Sequence, residues 1–88
     1  MRTVVYEHGT TIFSENVSGE TFYMIKNGSV NIIKGGQLIR KSSKGDYFGE
    51  RSILFNETRS ASVIADGQVT CWELSKTEFL NIIDENIR

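Results

Sequence analysis

Along most of the chain, apolar and polar residues alternate in short stretches, the period of strands that bury one face. Thr3 to Tyr6 and Thr10 to Phe13 are two such stretches, parted by the polar turn Glu7-His8-Gly9. Ser14 to Gly19 is polar, ends on glycine and reads as a loop. Thr21 to Lys26 and Ser29 to Lys34 follow, separated by Asn27-Gly28, a pair that tolerates positive φ and predicts a hairpin turn. Gly35-Gly36 predicts another hairpin before Gln37 to Lys41, so three successive antiparallel strands are expected as a meander. After Lys44-Gly45-Asp46, a short stretch from Asp46 to Phe48 meets Gly49. Between Glu50 and Phe55 the β-branched density falls, and the segment fits one and a half helical turns. Ser60 to Ala65 and Gln68 to Leu74 are strand-like again, with a turn expected at Asp66-Gly67. The end differs in period. Ser75 stands three residues before Glu78, the spacing of a capping box, and Phe79, Ile82, Ile83 and Ile87 recur at helical spacing. About eight short strands, one helical turn and a terminal amphipathic helix predict a mainly β fold, a small β-roll or β-barrel.

Composition strengthens that reading. Val, Ile and Thr fill 23 positions and aromatics nine, whereas alanine occurs twice. Such residues suit pleated, half-buried surfaces. Eighty-eight residues, 39% of them hydrophobic, allow one domain with a thin core and are not disordered by composition. A lone Cys71 excludes a disulfide framework and fits a reducing compartment or simple core filling. The short apolar runs exclude a membrane-spanning helix, and no signal-peptide pattern is read. A net charge of −1 gives no electrostatic reason to expect a nucleic acid polymer or an anionic membrane as partner. The sequons at Asn16, Asn27 and Asn56 are read as chance.

Catalytic chemistry finds little support. His8, the single histidine, lies in an early turn without other ligands at metal-binding spacing. No Gly-x-Ser-x-Gly elbow surrounds any serine. Asp46 and Glu50 lie four apart across a turn, with no nucleophile or base beside them. No catalytic residue, metal site or enzyme activity is therefore expected. Phosphate binding is different. Gly45-Asp46-Tyr47-Phe48-Gly49 lacks the Gly-Lys-Ser/Thr ending of a P-loop, yet Gly49 precedes the short helix, whose free N–H groups suit an anion. Arg59 opens a stretch that is otherwise uncharged, and a buried guanidinium needs a partner. On spacing alone that partner is either a carboxylate, Glu57 or Glu50, or a ligand phosphate.

The run Phe48-Gly49-Glu50-Arg51-Ser52-Ile53-Leu54-Phe55-Asn56-Glu57-Thr58-Arg59-Ser60-Ala61-Ser62-Val63 closely resembles the phosphate-binding cassette of cyclic nucleotide-binding domains. Gly19 to Val30 looks like that family's β-hairpin segment, Lys44 to Phe48 like its lead-in, and Trp72 to Ile83 like its last strand and B helix. The nearest likeness within the family is to cGMP-dependent protein kinases. The resemblance implies an eight-stranded antiparallel, jelly-roll-like β-roll with a short cassette helix and a C-terminal helix. Residues 1–88 would be one such domain, truncated, without the family's N-terminal helices and C-terminal lid helix.

By the same resemblance, Arg59 pairs with the cyclic phosphate, and Gly49 lets the backbone approach the ribose. Glu50 accepts from the ribose 2′-hydroxyl, and the Ser52 N–H helps cradle the phosphate. Ser60 stands where cGMP-selective members carry Thr or Ser, a hydroxyl able to bridge phosphate and guanine 2-amino group. Arg40 stands where some of them place a cation near guanine; as a strand residue beside Lys41 it also reads as a solvated charge. Arg51 departs from the small or apolar residue usual at its position and is expected to point outward. The implied function is a cytoplasmic regulatory module that binds cGMP, or alternatively cAMP, and relieves kinase autoinhibition. Its implied partners are the cyclic nucleotide and neighbouring regulatory or kinase domains of the same chain. A degenerate, purely structural module is the other alternative. No further cofactor is expected, and the fragment is expected to be monomeric.

Overall fold

A computed structural model describes residues 1–86 of the chain. Strands β1 (Arg2–Tyr6), β2 (Thr11–Phe13), β3 (Thr21–Lys34), β4 (Gln37–Ser43), β5 (Tyr47–Phe48) and β6 (Ser62–Ser75) form one antiparallel sheet. Helix α1 (Glu50–Leu54) lies between β5 and β6, and α2 (Lys76–Asn86) follows β6. The main path runs β1-β6-β3-β4, with β2 also on β6 and β5 also on β3. The fold class is therefore the expected mainly β, antiparallel one, with six strands rather than eight. No described helix is long and apolar enough to cross a membrane.

The difference in strand number has one cause. The segments flanking Asn27-Gly28 do not pair with each other as a hairpin; they are two halves of β3. Likewise the segments flanking Asp66-Gly67 are two halves of β6, and the two 14-residue strands pair along their length. The register shifts on either side of Asn27, a bulge in place of a reversal. Gly28 takes φ +95°, and a Cβ there would stand 2.5 Å from the Gln68 carbonyl oxygen. Local tolerance of positive φ thus served a bend in a continuous strand. Of the expected meander only the β3–β4 hairpin forms, at Gly35-Gly36.

The bulge also reassigns faces. Before it Tyr23 and Ile25 point into the core; after it Val30 and Ile32 do so. A one-residue insertion reverses the inside–outside alternation, and the apolar pattern of β3 matches that reversal. Phe48, Val63, Ala65, Val69 and Cys71 complete the main core. Burial pushes the Cys71 thiol up to about 11. Glu73 continues the inner row of β6 and is 3% exposed; the Tyr6 hydroxyl and, at 3.3 Å, Arg2 donate to its carboxylate. Burial, with Glu73 beside it, raises the Tyr6 phenol well above its ordinary value.

A second, smaller cluster fixes the helices. Phe22, Ile53 of α1 and Phe79 of α2 are buried together, with Leu74 and Ile83 against them. The Phe22 and Phe79 rings stack at 4.6 Å. The capping box at the start of α2 is formed in both directions: Ser75 N–H donates to Glu78 Oε1 at 3.0 Å, and Glu78 N–H to Ser75 Oγ at 3.2 Å. Ile82 is exposed rather than packed, and Ile87 lies outside the described residues.

Candidate functional site: a cavity around Arg59

Strand β5 ends on Phe48, whose ring packs on Tyr23 and Phe13 in the core. Gly49 then turns the chain at φ +99° and caps α1 without a side-chain hydrogen bond. A Cβ at Gly49 would stand 2.6 Å from the Thr21 carbonyl and 2.8 Å from Arg59 Nη1, so only glycine fits the turn. Ser52 and Ile53 are the buried residues of α1, and Ile53 anchors it in the smaller cluster. The loop after α1 is tied down on its far side. Asn16 N–H donates to the Arg59 carbonyl at 2.7 Å, and Arg59 N–H donates to the Val17 carbonyl at 2.9 Å. These bonds turn the Arg59 side chain inward, where it is 4% exposed.

Its surroundings are unusual for a buried cation. Nη1 donates to Ser52 Oγ at 2.8 Å and Nη2 to the Thr21 carbonyl at 3.1 Å; the Gly49 carbonyl lies 3.4 Å from Nη1. The guanidinium carbon sits 4.4 Å from the Phe13 ring centre and 5.7 Å from that of Tyr23. Among the described residues no carboxylate pairs with it. Glu57 instead meets Arg51 at 3.5 Å. The Glu50 Oε2 atom and the Arg59 Nε atom are both buried without a hydrogen-bond partner. Burial lowers the Arg59 pKa, opposed by nearby Tyr23, although a guanidinium keeps its proton throughout the accessible range.

A cavity of about 200 Å³ opens onto this group. Arg40, Gly49, Glu50, Ser52, Arg59 and Ser60, the six residues singled out from the sequence, all line it. Arg40 and Ser60 are exposed, whereas Ser52 and Arg59 are buried. The cavity thus offers a buried donor, a buried acceptor, and backbone N–H groups of a helical turn that no side chain caps. That set suits an anion carrying a hydroxyl nearby.

Three features differ from the sequence reading. Neither Glu50 nor Glu57 pairs with Arg59, so the carboxylate alternative for its partner is not realised. Ser52, expected to act through its N–H, also contributes its hydroxyl, which bonds Arg59 and the Gly49 carbonyl. Arg51 does point outward, yet it borders the cavity too. Sequence reasoning missed Phe13, Tyr23, Thr21 and Gly19, which surround the guanidinium from strands β2 and β3 and the loop between them. A glycine at the end of the loop before β3 was the sole signal, and it read as punctuation.

The family model for the cyclic nucleotide-binding domain matches residues 3–86. A cGMP-dependent protein kinase of Plasmodium berghei is 43% identical over 84 residues, covering 94% of this chain and 10% of that protein. A cAMP-dependent protein kinase regulatory subunit of Debaryomyces hansenii is 33% identical over 82 residues, covering 91% of this chain and 18% of that protein. The chain thus spans a small fraction of the relatives it matches. Among solved structures, the regulatory domain of Toxoplasma gondii PKA with cAMP superposes with a TM-score of 0.85 at 30% identity, covering 93% of this chain and 34% of that one. With the match running from β1 through α2, the chain belongs to the cyclic nucleotide-binding domain family.

Proposed function

We propose that this chain binds a cyclic purine nucleotide, cGMP in preference to cAMP, as a non-catalytic regulatory module of a cGMP-dependent type of protein kinase. One observation carries the reading: Arg59 and Glu50, each with a buried side-chain atom that lacks a hydrogen-bond partner (Nε and Oε2), line the same cavity. Each unmade bond of this kind costs about 1–3 kcal/mol, more for charged groups. A cyclic phosphodiester supplies an anionic acceptor for Arg59, and its ribose 2′-hydroxyl supplies a donor for Glu50. Neither an apolar ligand nor a free cation satisfies both.

Support for guanine comes from Ser60 at the cavity edge and from the 43% identity to a cGMP-dependent protein kinase. The cAMP reading keeps its own support in the regulatory-subunit relative and the cAMP-bound neighbour. Ligand binding acts by favouring one arrangement of α1 and α2 over another, which relieves autoinhibition of the kinase. The test is a competition titration of cGMP against cAMP on the wild-type chain and on Ser60→Ala. Tighter cGMP binding that Ser60→Ala erodes supports the reading. Equal affinities, unchanged by the substitution, overturn the guanine preference.

A further inference from the structure

Seven of the eight glycines have positive φ, where glycine is favoured by backbone conformation alone. Gly19 is the exception. Its φ lies outside the left-handed region, so its lack of a side chain needs another cause. A Cβ at Gly19 would stand 2.3 Å from Arg59 Nη2, 2.4 Å from Nε and 2.6 Å from Cζ. No other glycine of the chain meets a guanidinium over three atoms in this way.

We infer that Gly19 is a positioning residue for Arg59, kept bare so that the Nε/Nη2 edge of the guanidinium can pack against the backbone there and hold the group in its place beside the cavity. This rests on the reading of Arg59 as the phosphate-binding group. Four residues surround the fork: the Phe13 and Tyr23 ring centres lie 4.4 and 5.7 Å from its carbon, Ser52 Oγ holds Nη1, and the Thr21 carbonyl holds Nη2. Gly19 and Thr21 belong to one short segment, so the chain that accepts from Nη2 also leaves the room beside it. The same loop fixes the Arg59 backbone through Asn16 and Val17. A methyl group at position 19 therefore displaces the fork while leaving every cavity-lining residue in the sequence. Movement at the tip of a side chain relieves the contact, so the sheet itself is not forced apart.

The test is a double-mutant cycle of Gly19→Ala and Arg59→Lys, read by cGMP and cAMP affinity. Lysine carries neither Nε nor Nη atoms and leaves the space that the methyl group needs. Gly19→Ala is expected to weaken binding roughly tenfold or more with Arg59 present, and less than about twofold in the Arg59→Lys background. An equal loss in both backgrounds makes Gly19 a scaffold residue and overturns the inference, as does wild-type affinity in Gly19→Ala. A second readout needs no ligand: the Arg59 Nε–H cross-peak in the NMR spectrum of the free chain. Gly19→Ala is expected to shift it or expose it to rapid exchange, and an unmoved peak overturns the inference. A wild-type chain that binds no cyclic nucleotide sinks the functional reading, while this peak still decides the role of Gly19. Should Gly19→Ala alone fail to fold, the double variant is expected to fold. If it too stays unfolded, the clash is not with the guanidinium and the inference fails.

Discussion

Replacing Arg59 with methionine separates a binding cation from a structural one. The native side chain makes two well-formed charged hydrogen bonds, to Ser52 at 2.8 Å and to Thr21 at 3.1 Å. Such bonds contribute about 1.5–3 kcal/mol each, and the contact with Phe13 adds about 2 kcal/mol when desolvated. Against this stands the cost of a 4% exposed guanidinium with no carboxylate beside it, several kcal/mol for an ion of this size. These terms nearly cancel, and methionine fills the space without a charge. In the free protein, Arg59→Met is therefore expected to change unfolding stability by no more than about 2 kcal/mol, in either direction. Cyclic nucleotide affinity behaves differently, because removing one partner of a buried ion pair costs about 3–5 kcal/mol. That corresponds to roughly two to four orders of magnitude in Kd. Urea unfolding of the free chain and calorimetric titration with cGMP measure the two quantities. A variant that loses more than about 3 kcal/mol of stability makes Arg59 a structural cation and refutes the reasoning. So does a variant whose affinity stays within about threefold of wild type.

Gly28→Ala should destabilise the fold by about 1–3 kcal/mol, since φ +95° is unfavourable for alanine and the Gln68 carbonyl is in the way; thermal melting reads it. Ser75→Ala removes half of the capping box and should cost about 1 kcal/mol, whereas Ser75→Asp should restore most of it, in the same assay. Cys71 makes stability fall in alkali. Burial raises its thiol from an ordinary 9.0 to about 11, so above pH 9 the unfolded chain sheds a proton that the folded chain keeps. That contribution is complete below pH 9 and drains away towards pH 11; Tyr6 and Tyr23, also raised, act in the same direction at higher pH. Urea midpoints should decline between pH 9 and 11, and less steeply in Cys71→Val; a flat profile contradicts the assignment.

The cassette was legible because its chemistry is contiguous. Gly49, Glu50, Ser52, Arg59 and Ser60 lie within one short stretch, and a single helical turn and loop bring them to one cavity. The walls that hold Arg59 come from β2 and β3 and the loop between them, joined to the cassette only by tertiary packing. Periodicity along the chain carries no sign of that. Asn27-Gly28 shows a second limit. The pair announces positive φ correctly at Gly28, but whether such a residue reverses the chain or bends it depends on the partner strand. Here β6, with its own irregularity near Gly67, runs alongside throughout, and the bulge turns Val30 and Ile32 inward. The C-terminal capping box, by contrast, is a purely local interaction, and it formed as its spacing predicts.

In the proposed function, one cyclic nucleotide satisfies Arg59 and Glu50 together. The most direct measurement is an NMR titration of the isotopically labelled chain with cGMP, following Arg59 Nε–H and the amides of Glu50 to Ser52. One saturable site is expected, with a downfield shift of Arg59 Nε–H and cassette amide shifts that follow the same isotherm. The 2′-deoxy analogue is expected to bind more weakly, and Glu50→Gln to narrow the gap. Saturable binding that leaves the Arg59 Nε–H resonance unmoved, or no binding at all, contradicts the proposed function.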